Sequence, residues 1–389
     1  MSLFRQIVAL LQMSLRGIPR RLVASLVTLV GIACVVGVLV SMLSMGVGVR
    51  QLALQDSRTD RVIVSSKGAQ NIVASSLDTA TVAAIGNAPG IRKDEEGKQL
   101  LATRIVELVD LRKKSNHVRT NLPLFGVGTQ FFHVRPEIRL SGGRMFRPGL
   151  HEMIVGESRQ ALYEGLALGD QVRLHGADWT VVGQFDAHGS AFENDLIADA
   201  DTVASAFGRN TIQEVTVVLD SPRGYEAFAS ALAANPAISV DVKHEAEWTA
   251  MNFKPLTGLL DFISYFVATV MAIGASLGAL NVMYSIVDAR NREIATLRAI
   301  GFGASPVVVS VILESMLLAL PGALLGALIA WAWFNGHAVS PFGVGFRLAV
   351  TPALIELGIV WALVIGLIGG LLPALRAARV PVATALRAI

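Results

Sequence analysis

The sequence predicts an α-helical membrane protein with four transmembrane helices plus a large mixed α+β extracytoplasmic domain inserted between helices 1 and 2. Composition is the first reason. Hydrophobic residues make up 53% of the 389-residue chain and mean hydropathy is +0.55, more apolar than a soluble protein with an ordinary charged surface. Distribution is the second. No Asp, Glu, Lys or Arg occurs from Leu22 through Val49 or from Phe262 through Val287, and each run exceeds the ~20 residues that span a bilayer. The stretch between these runs has the composition of a soluble domain.

In chain order, residues 1–21 read as a cytoplasmic amphipathic segment and 22–49 as the first span. A cleaved signal peptide fits poorly, because the run outlasts the ~7–15 residues of a signal core and ends in Gly-Val-Gly-Val-Arg rather than at a small-residue cleavage site. Cys34 is the single cysteine and lies inside this span, so the outer domain must be held by its own core rather than by a disulfide.

That domain, 50–254, carries β-branched alternating runs expected as strands at 61–65, 171–174, 179–183 and 214–219. Helical patterns fall at 79–85, 157–164, 201–207 and 225–234. Ser141-Gly142-Gly143-Arg144, Arg147-Pro148-Gly149 and Asp220-Ser221-Pro222-Arg223-Gly224 read as turns. After the last of these, the helix at 225–234 and a strand-like segment at 237–242 complete a βαβ-like piece expected to pack against 61–65. The domain is thus expected to divide into a membrane-proximal part, 50–98 with 200–254, and a distal strand-rich part, 99–199.

A second span follows at 260–287 and a loop at 288–305. The third span, 306–334, holds Glu314 as its only acid. A short outer loop at 335–351, a fourth span at 353–375 and a tail at 376–389 complete the chain. Arg5, Arg16, Arg20 and Arg21 precede the first span, Arg290, Arg292 and Arg298 lie between the second and third, and Arg376, Arg379 and Arg387 follow the fourth. The excess of basic residues on the cytoplasmic side then puts both termini and the 288–305 loop inside, and the large domain outside. This topology accounts for the net charge of +3. No arginine–aromatic interleaving of the nucleic-acid-binding kind occurs.

Little in the chain suggests chemistry of its own. Six histidines, 117, 133, 151, 175, 188 and 244, fall in the outer domain, but none pairs at i and i+4 on a helix or joins a cysteine, so no metal site is read. Val155-Gly156-Glu157-Ser158-Arg159 imitates a nucleophile elbow but lacks its second glycine. Asp94-Glu95-Glu96 reads as a solvated turn. No G-x-x-x-x-G-K-[ST] loop occurs, so no residues that would cradle ATP phosphates are recognised and neither catalytic nor cofactor-binding residues are assigned. Glu314, an ionisable group at membrane depth, is a candidate functional residue; its closeness to the inner loop favours a structural role, satisfying a neighbouring helix or that loop, over a proton relay. Gly322 and Gly326 form a G-x-x-x-G that allows close helix packing among the spans or against a second copy.

The segment Arg290 to Phe302 is the most informative. Helical spacing gathers Ile294, Leu297 and Ile300 with Gly301 on one side and spreads Arg290, Arg292 and Arg298 over polar surface. The arginines alone also fit a solvated positive-inside loop. Gly301 permits a tight helix exit, and Pro306 suits the start of the next helix.

Arg292-Glu293-Ile294-Ala295-Thr296-Leu297-Arg298-Ala299-Ile300-Gly301-Phe302, followed by Glu314-Ser315, resembles the R-E-I-x-x-L-R-A-I-G segment of FtsX/MacB-type ABC transporter permeases, the type VII mechanotransmission family. Leu372-Pro373-Ala374-Leu375-Arg376-Ala377-Ala378-Arg379-Val380-Pro381 with Ala385-Leu386-Arg387 is similar to that family's tail. Ser141 to Phe146, Leu168-Gly169-Asp170-Gln171-Val172 and Val181-Val182-Gly183 resemble outer-domain motifs of its MacB-like branch.

The resemblance covers the whole chain. It implies that Arg290, Arg292, Glu293, Ile294, Leu297, Arg298, Ala299, Ile300, Gly301 and Phe302 form a coupling helix seated on a separate ABC ATPase subunit, which holds ATP and Mg. It also implies a permease homodimer or paired heterodimer in a bacterial inner membrane, with a periplasmic adaptor and an outer-membrane channel as further partners. Some members carry an ATPase domain ahead of the first span; the short segment before Leu22 departs from that arrangement. The implied function is export or efflux of an envelope substrate by motion of the periplasmic domains. Alternatives are a lipoprotein-releasing permease of the LolC/LolE kind and a non-transporting FtsX-like regulator of a cell-wall hydrolase.

Overall fold

A computed structural model of the chain describes residues 22–55, 57–339 and 346–379. The N-terminal segment 1–21, part of the outer loop and the tail from Val380, with Pro381 and Arg387, lie outside the described residues. The chain falls into two units, one of helices and one rich in strands.

Helix α1 (Leu22–Leu54) leads into the strand-rich unit. Its elements are β1 (Arg61–Ser66), α2 (Thr79–Gly86), β2 (Leu101–Arg112), β3 (Arg119–Val127), β4 (Arg139–Gly143), β5 (Glu152–Gly156), α3 (Glu157–Leu162), β6 (Gln171–Leu174), β7 (Ala177–Asp186), β8 (Leu196–Asp199), α4 (Ala200–Phe207), β9 (Glu214–Val218), α5 (Tyr225–Ala233) and β10 (Val240–His244). The strands form one mixed sheet in the order β10-β1-β9-β2-β3-β8-β5-β7-β4, with β6 also paired to β7.

Local sequence explains much of this. β1 and β9 are nearly continuous valine and isoleucine runs buried on both faces, as central strands require. β7 alternates, turning Trp179, Val181 and Phe185 inward. Asp78 caps α2 by accepting from Thr81 N at 2.7 Å, and Asp199 caps α4 from Thr202 N at 3.0 Å. β1 lies between β9 and β10, antiparallel to both, so the βαβ-like piece encloses the strand it was expected to pack against. One core gathers around Trp179, Tyr163, Leu166 and Leu124, another around Val62, Val217 and Phe228.

One expected turn is corrected. Ser141 to Gly143 belong to β4, paired with β7 through a bulge between Leu140 and Gly142. Gly143 serves close approach: its φ is 73°, and a Cβ there would strike the Val182 carbonyl oxygen and Leu168. Strands β2, β3, β5 and β8 were not anticipated.

The helical unit contains most of α1, the later part of α6 (Glu245–Asp288), α7 (Asn291–Ala299), α8 (Ala304–Phe334) and α9 (Pro352–Ala378). Four of these helices, α1, α6, α8 and α9, are long and apolar enough to cross a membrane. Their contacts are made by small residues. A Cβ on Gly322 would lie 2.8 Å from Leu29 O, and one on Gly326 would collide with Ala33 O, so the G-x-x-x-G seats α8 on α1 of the same chain. Gly366 and Gly369 bring α9 against Ala319 and Ala279, and Ser315 Oγ donates to Gly366 O at 2.6 Å. On the other side of α6, Phe262, Phe266, Val270, Ile273 and Leu277 are exposed at helical spacing, the surface a bilayer would cover.

Candidate functional site

Helix α6 ends at Asp288, and after two residues α7 begins. Asn291 Nδ2 donates to Asp288 Oδ1 at 3.3 Å across this break. Glu293 in the first turn and Arg298 in the last complement the helix dipole. At the other end Phe302 N bonds back to Leu297 O and Gly301 N to Arg298 O, with Gly301 left-handed at φ 104°, a conformation that favours glycine. The next helix starts at Ala304 and takes Pro306 in its first turn.

The apolar side of α7 packs on its own chain. Ile294 and Ala295 are buried, and Leu297 and Phe302 pack with Ile294 against Met283, Val287, Val307, Val311, Ala374 and Ala377. Ile300 instead leaves that face and is 74% exposed. Arg292, Glu293, Thr296, Ala299 and Gly301 are exposed beside it. Periodicity cannot tell an apolar face that meets its own bundle from one that meets a partner.

Charged groups tie α7 to both neighbours. Arg290, 13% exposed, donates from Nε to Glu293 Oε2 at 3.1 Å and from Nη1 to the buried Glu314 Oε2 of α8 at 3.4 Å. Arg298 Nη1 donates to Ala378 O, in the last turn of α9, at 2.9 Å. Arg376 of α9 stands 4.0 Å from Asp288 and over the Tyr284 ring of α6 at 5.4 Å. The structure therefore joins Arg290, Glu293 and Glu314 in one polar contact, and Ile294, Leu297 and Phe302 in one core. Arg292, Ala299, Ile300 and Gly301 stay outside both, while Gly322 and Gly326 serve the α1–α8 contact. Asp288, Tyr284 and the Ala378 carbonyl were missed, since a carbonyl partner leaves no mark in sequence.

Elsewhere, Glu157, Asp186 and Glu193 bring carboxylate oxygens within 4.8 Å of one another. Those oxygens serve their own loop: Glu193 accepts from Ser158 Oγ at 3.0 Å and from Gly189 N at 2.5 Å, and Asp186 pairs with His188 at 3.0 Å. Ser158 is thus spent on Glu193, although it does follow a strand-to-helix turn.

The chain matches the MacB-like periplasmic core domain over residues 25–235 and the FtsX-like permease C-terminal domain over residues 265–382. It is 25% identical over 399 residues to the macrolide export ATP-binding/permease protein MacB of Escherichia coli, covering 95% of this chain and 59% of that protein. The chain thus spans about three fifths of that relative's length. It is 21% identical over 400 residues to the ABC transporter permease YknZ of Bacillus subtilis, covering 97% and 98% of the two chains. The periplasmic region of MacB from Actinobacillus actinomycetemcomitans aligns with a TM-score of 0.37 and 15% identity, over 50% of this chain and 94% of that one.

Proposed function

This chain belongs to the FtsX/MacB-type family of ABC transporter permeases, and from that premise we propose that it is the membrane subunit of an export or efflux system driven by a separate ATP-hydrolysing subunit seated on α7. The supporting observation is the double attachment of α7, to α8 through Arg290–Glu314 and to α9 through Arg298–Ala378 O. A load on Arg292, Thr296, Ala299 and Ile300 is then passed to two spans at once rather than lost in a loose loop. ATP and Mg²⁺ belong to the partner, and this chain supplies no catalytic group.

In this proposal α7 and both termini face the cytoplasm, because the arginines cluster there. The strand-rich unit lies on the periplasmic side of a bacterial inner membrane. Two copies, or a copy and a related chain, act together, with a periplasmic adaptor and an outer-membrane channel as additional partners. The cargo is envelope material already outside the cytoplasm, since the spans bring few buried polar groups to mid-membrane where a through-membrane substrate site would need them.

The test is copurification in mild detergent with the ATPase that accompanies the wild-type chain. Ile300→Asp puts a charge on the exposed contact and should remove the ATPase while the permease melts normally. Undiminished ATPase recovery with Ile300→Asp and Arg292→Glu combined would overturn the assignment.

A further inference from the structure

Within the strand-rich unit, one face of the sheet and the first turns of α6 border a cavity of about 720 Å³, inside the ~300–1,000 Å³ range of small-molecule sites. The charges on its wall are answered by the protein itself. Arg104 pairs with Glu214 at 3.4 Å, and the Trp248 indole N–H donates to the same carboxylate at 2.6 Å. Arg135 meets Glu245 at 2.5 Å and Glu137 at 3.7 Å, and both acids also hold Arg61. Arg159 Nε donates to Asn194 O at 2.5 Å and is drawn to the Asp195 carboxyl. Four guanidinium groups thus face four carboxyl groups, and a charged ligand finds no unanswered charge here.

Away from these pairs the wall is mostly apolar. Val73, Val106, Leu108, Phe125 and Phe253 line it, and Val73 and Leu108 are 59% and 54% exposed. Asn252, also on the wall, is already used: it accepts from Ile72 N at 2.8 Å and donates to Trp248 O at 2.9 Å. Helix α6 indicates what covers this wall. Trp248, Asn252 and Pro255 face the cavity at spacings of four and three residues, and Leu259, Phe262 and Phe266 continue the same helical stripe. Those three are 47%, 68% and 61% exposed, on a helix long and apolar enough to cross a membrane. Pro255 and Leu259 are only ~6 Å apart along the helix axis, so one stripe of one helix passes from cavity wall to the surface a bilayer would cover.

We propose that this cavity takes one hydrocarbon chain of a membrane lipid, which enters along the Leu259–Pro255 stripe of α6 and lies against Val73, Val106, Leu108 and Phe253 while the head group stays in water. The gain lies in covering the exposed apolar wall, since the chain itself exchanges one apolar surrounding for another. Because the ion pairs are closed among themselves, the charge of the head group does not select the lipid.

The full chain is reconstituted in nanodiscs whose phosphatidylcholine carries a diazirine near the end of one acyl chain, and adducts are mapped by mass spectrometry after photolysis. Adducts are expected in 104–125 and 248–255, in addition to those that any span acquires from surrounding lipid. Leu108→Trp fills the cavity from an exposed position and should cut adducts in 104–125 by about tenfold, a loss of ~1.4 kcal/mol, while those in 259–277 stay at the wild-type level. Val73→Glu, also at an exposed position, should lower the same adducts and spare the spans. A probe with an anionic phosphatidylglycerol head should label 104–125 equally well. Adducts confined to the spans, undiminished labelling of 104–125 in the Leu108→Trp chain, or a several-fold preference for the anionic head would each overturn the proposal. No ATPase or transport enters the measurement, so its outcome is independent of the permease reading.

Discussion

Arg298 donates to the main-chain oxygen of Ala378 at 2.9 Å, eighty residues along the chain. The contact places a cation on the last exposed carbonyls of α9, where the helix dipole is negative. Arg298→Met should lower the melting temperature slightly, in line with the ~0.3–1 kcal/mol of such a charge, while ATPase copurification persists. Loss of the ATPase from a normally melting Arg298→Met chain would instead place this side chain in the partner contact.

Arg290 and Glu314 form a second, more buried link. Removing Glu314 takes one of two carboxylates from Arg290, which keeps Glu293 at 3.1 Å, so the cost should fall below the ~3–5 kcal/mol of a fully stranded buried charge. Glu314→Ala should therefore reduce folded yield and thermal stability, and the exchange Arg290→Glu with Glu314→Arg should restore part of both. A wild-type melting curve for Glu314→Ala would remove the structural role and revive a functional one.

Two glycines in the spans should respond in opposite ways. Gly326→Ala drives a methyl group into Ala33 O and should destabilise by ~1–3 kcal/mol through overpacking. Gly274, in α6, has nothing within 4 Å of a built Cβ, so Gly274→Ala should be neutral or stabilising by up to ~1 kcal/mol from helix propensity. Thermal melts of the two variants side by side decide this; equal effects would deny the close approach of α8 to α1.

The outer domain should lose stability in acid through Glu152. Paired bidentately with Arg144 at 2.5 and 2.6 Å, its carboxyl is pulled down from 4.5 to about 2, chiefly by the Arg144 hydrogen bonds. A depressed carboxyl stabilises the fold above its unfolded pKa, and that contribution is lost as pH falls from about 4.5 toward 2. Glu152→Gln should flatten this part of the acid-melting profile. An unchanged profile would show that the pair contributes nothing.

Asp195 should act in the opposite sense. Its pKa is raised to about 7, so the folded state keeps a proton that the unfolded state gives up near 4, and this contribution is full below ~4 and lost as pH rises through about 7. Asp195→Asn should remove that decline and leave the protein more stable than wild type at pH 8. Parallel melting curves from pH 5 to 8 would contradict a proton held on Asp195 in the folded state.

The four spans and the helix at 291–299 were legible because uninterrupted apolar runs and glycine or proline stops mark them directly. β1, β7 and β9 were legible for the related reason that β-branched residues alternate or run together. β2 and β3 hid because Arg104, Glu107, Asp110 and Arg112, and then Arg119 and Pro123, break the apolar pattern. Several of these charges are answered only across the sheet: Glu107 takes Arg209 from beyond α4 and Arg104 takes Glu214 from β9. Pairing at such separation is invisible to local pattern. The neighbours of α7 were hidden for a different reason, since Ile294 and Leu297 find partners in α6, α8 and α9 that sequence spacing does not reveal.

The sheet edge along β7 bears on solubility. It is covered by two short strands in tandem, β4 and β6, of five and four residues, and the longer of them is broken by the glycine bulge at 140–143. An incoming strand finds no long, flat row of unpaired amides there, which is how edge-to-edge aggregation is suppressed. The Ser-Gly-Gly segment that looked like a chain reversal thus also guards this edge against polymerisation, and a straightened, glycine-free version would be the variant to watch for fibre formation.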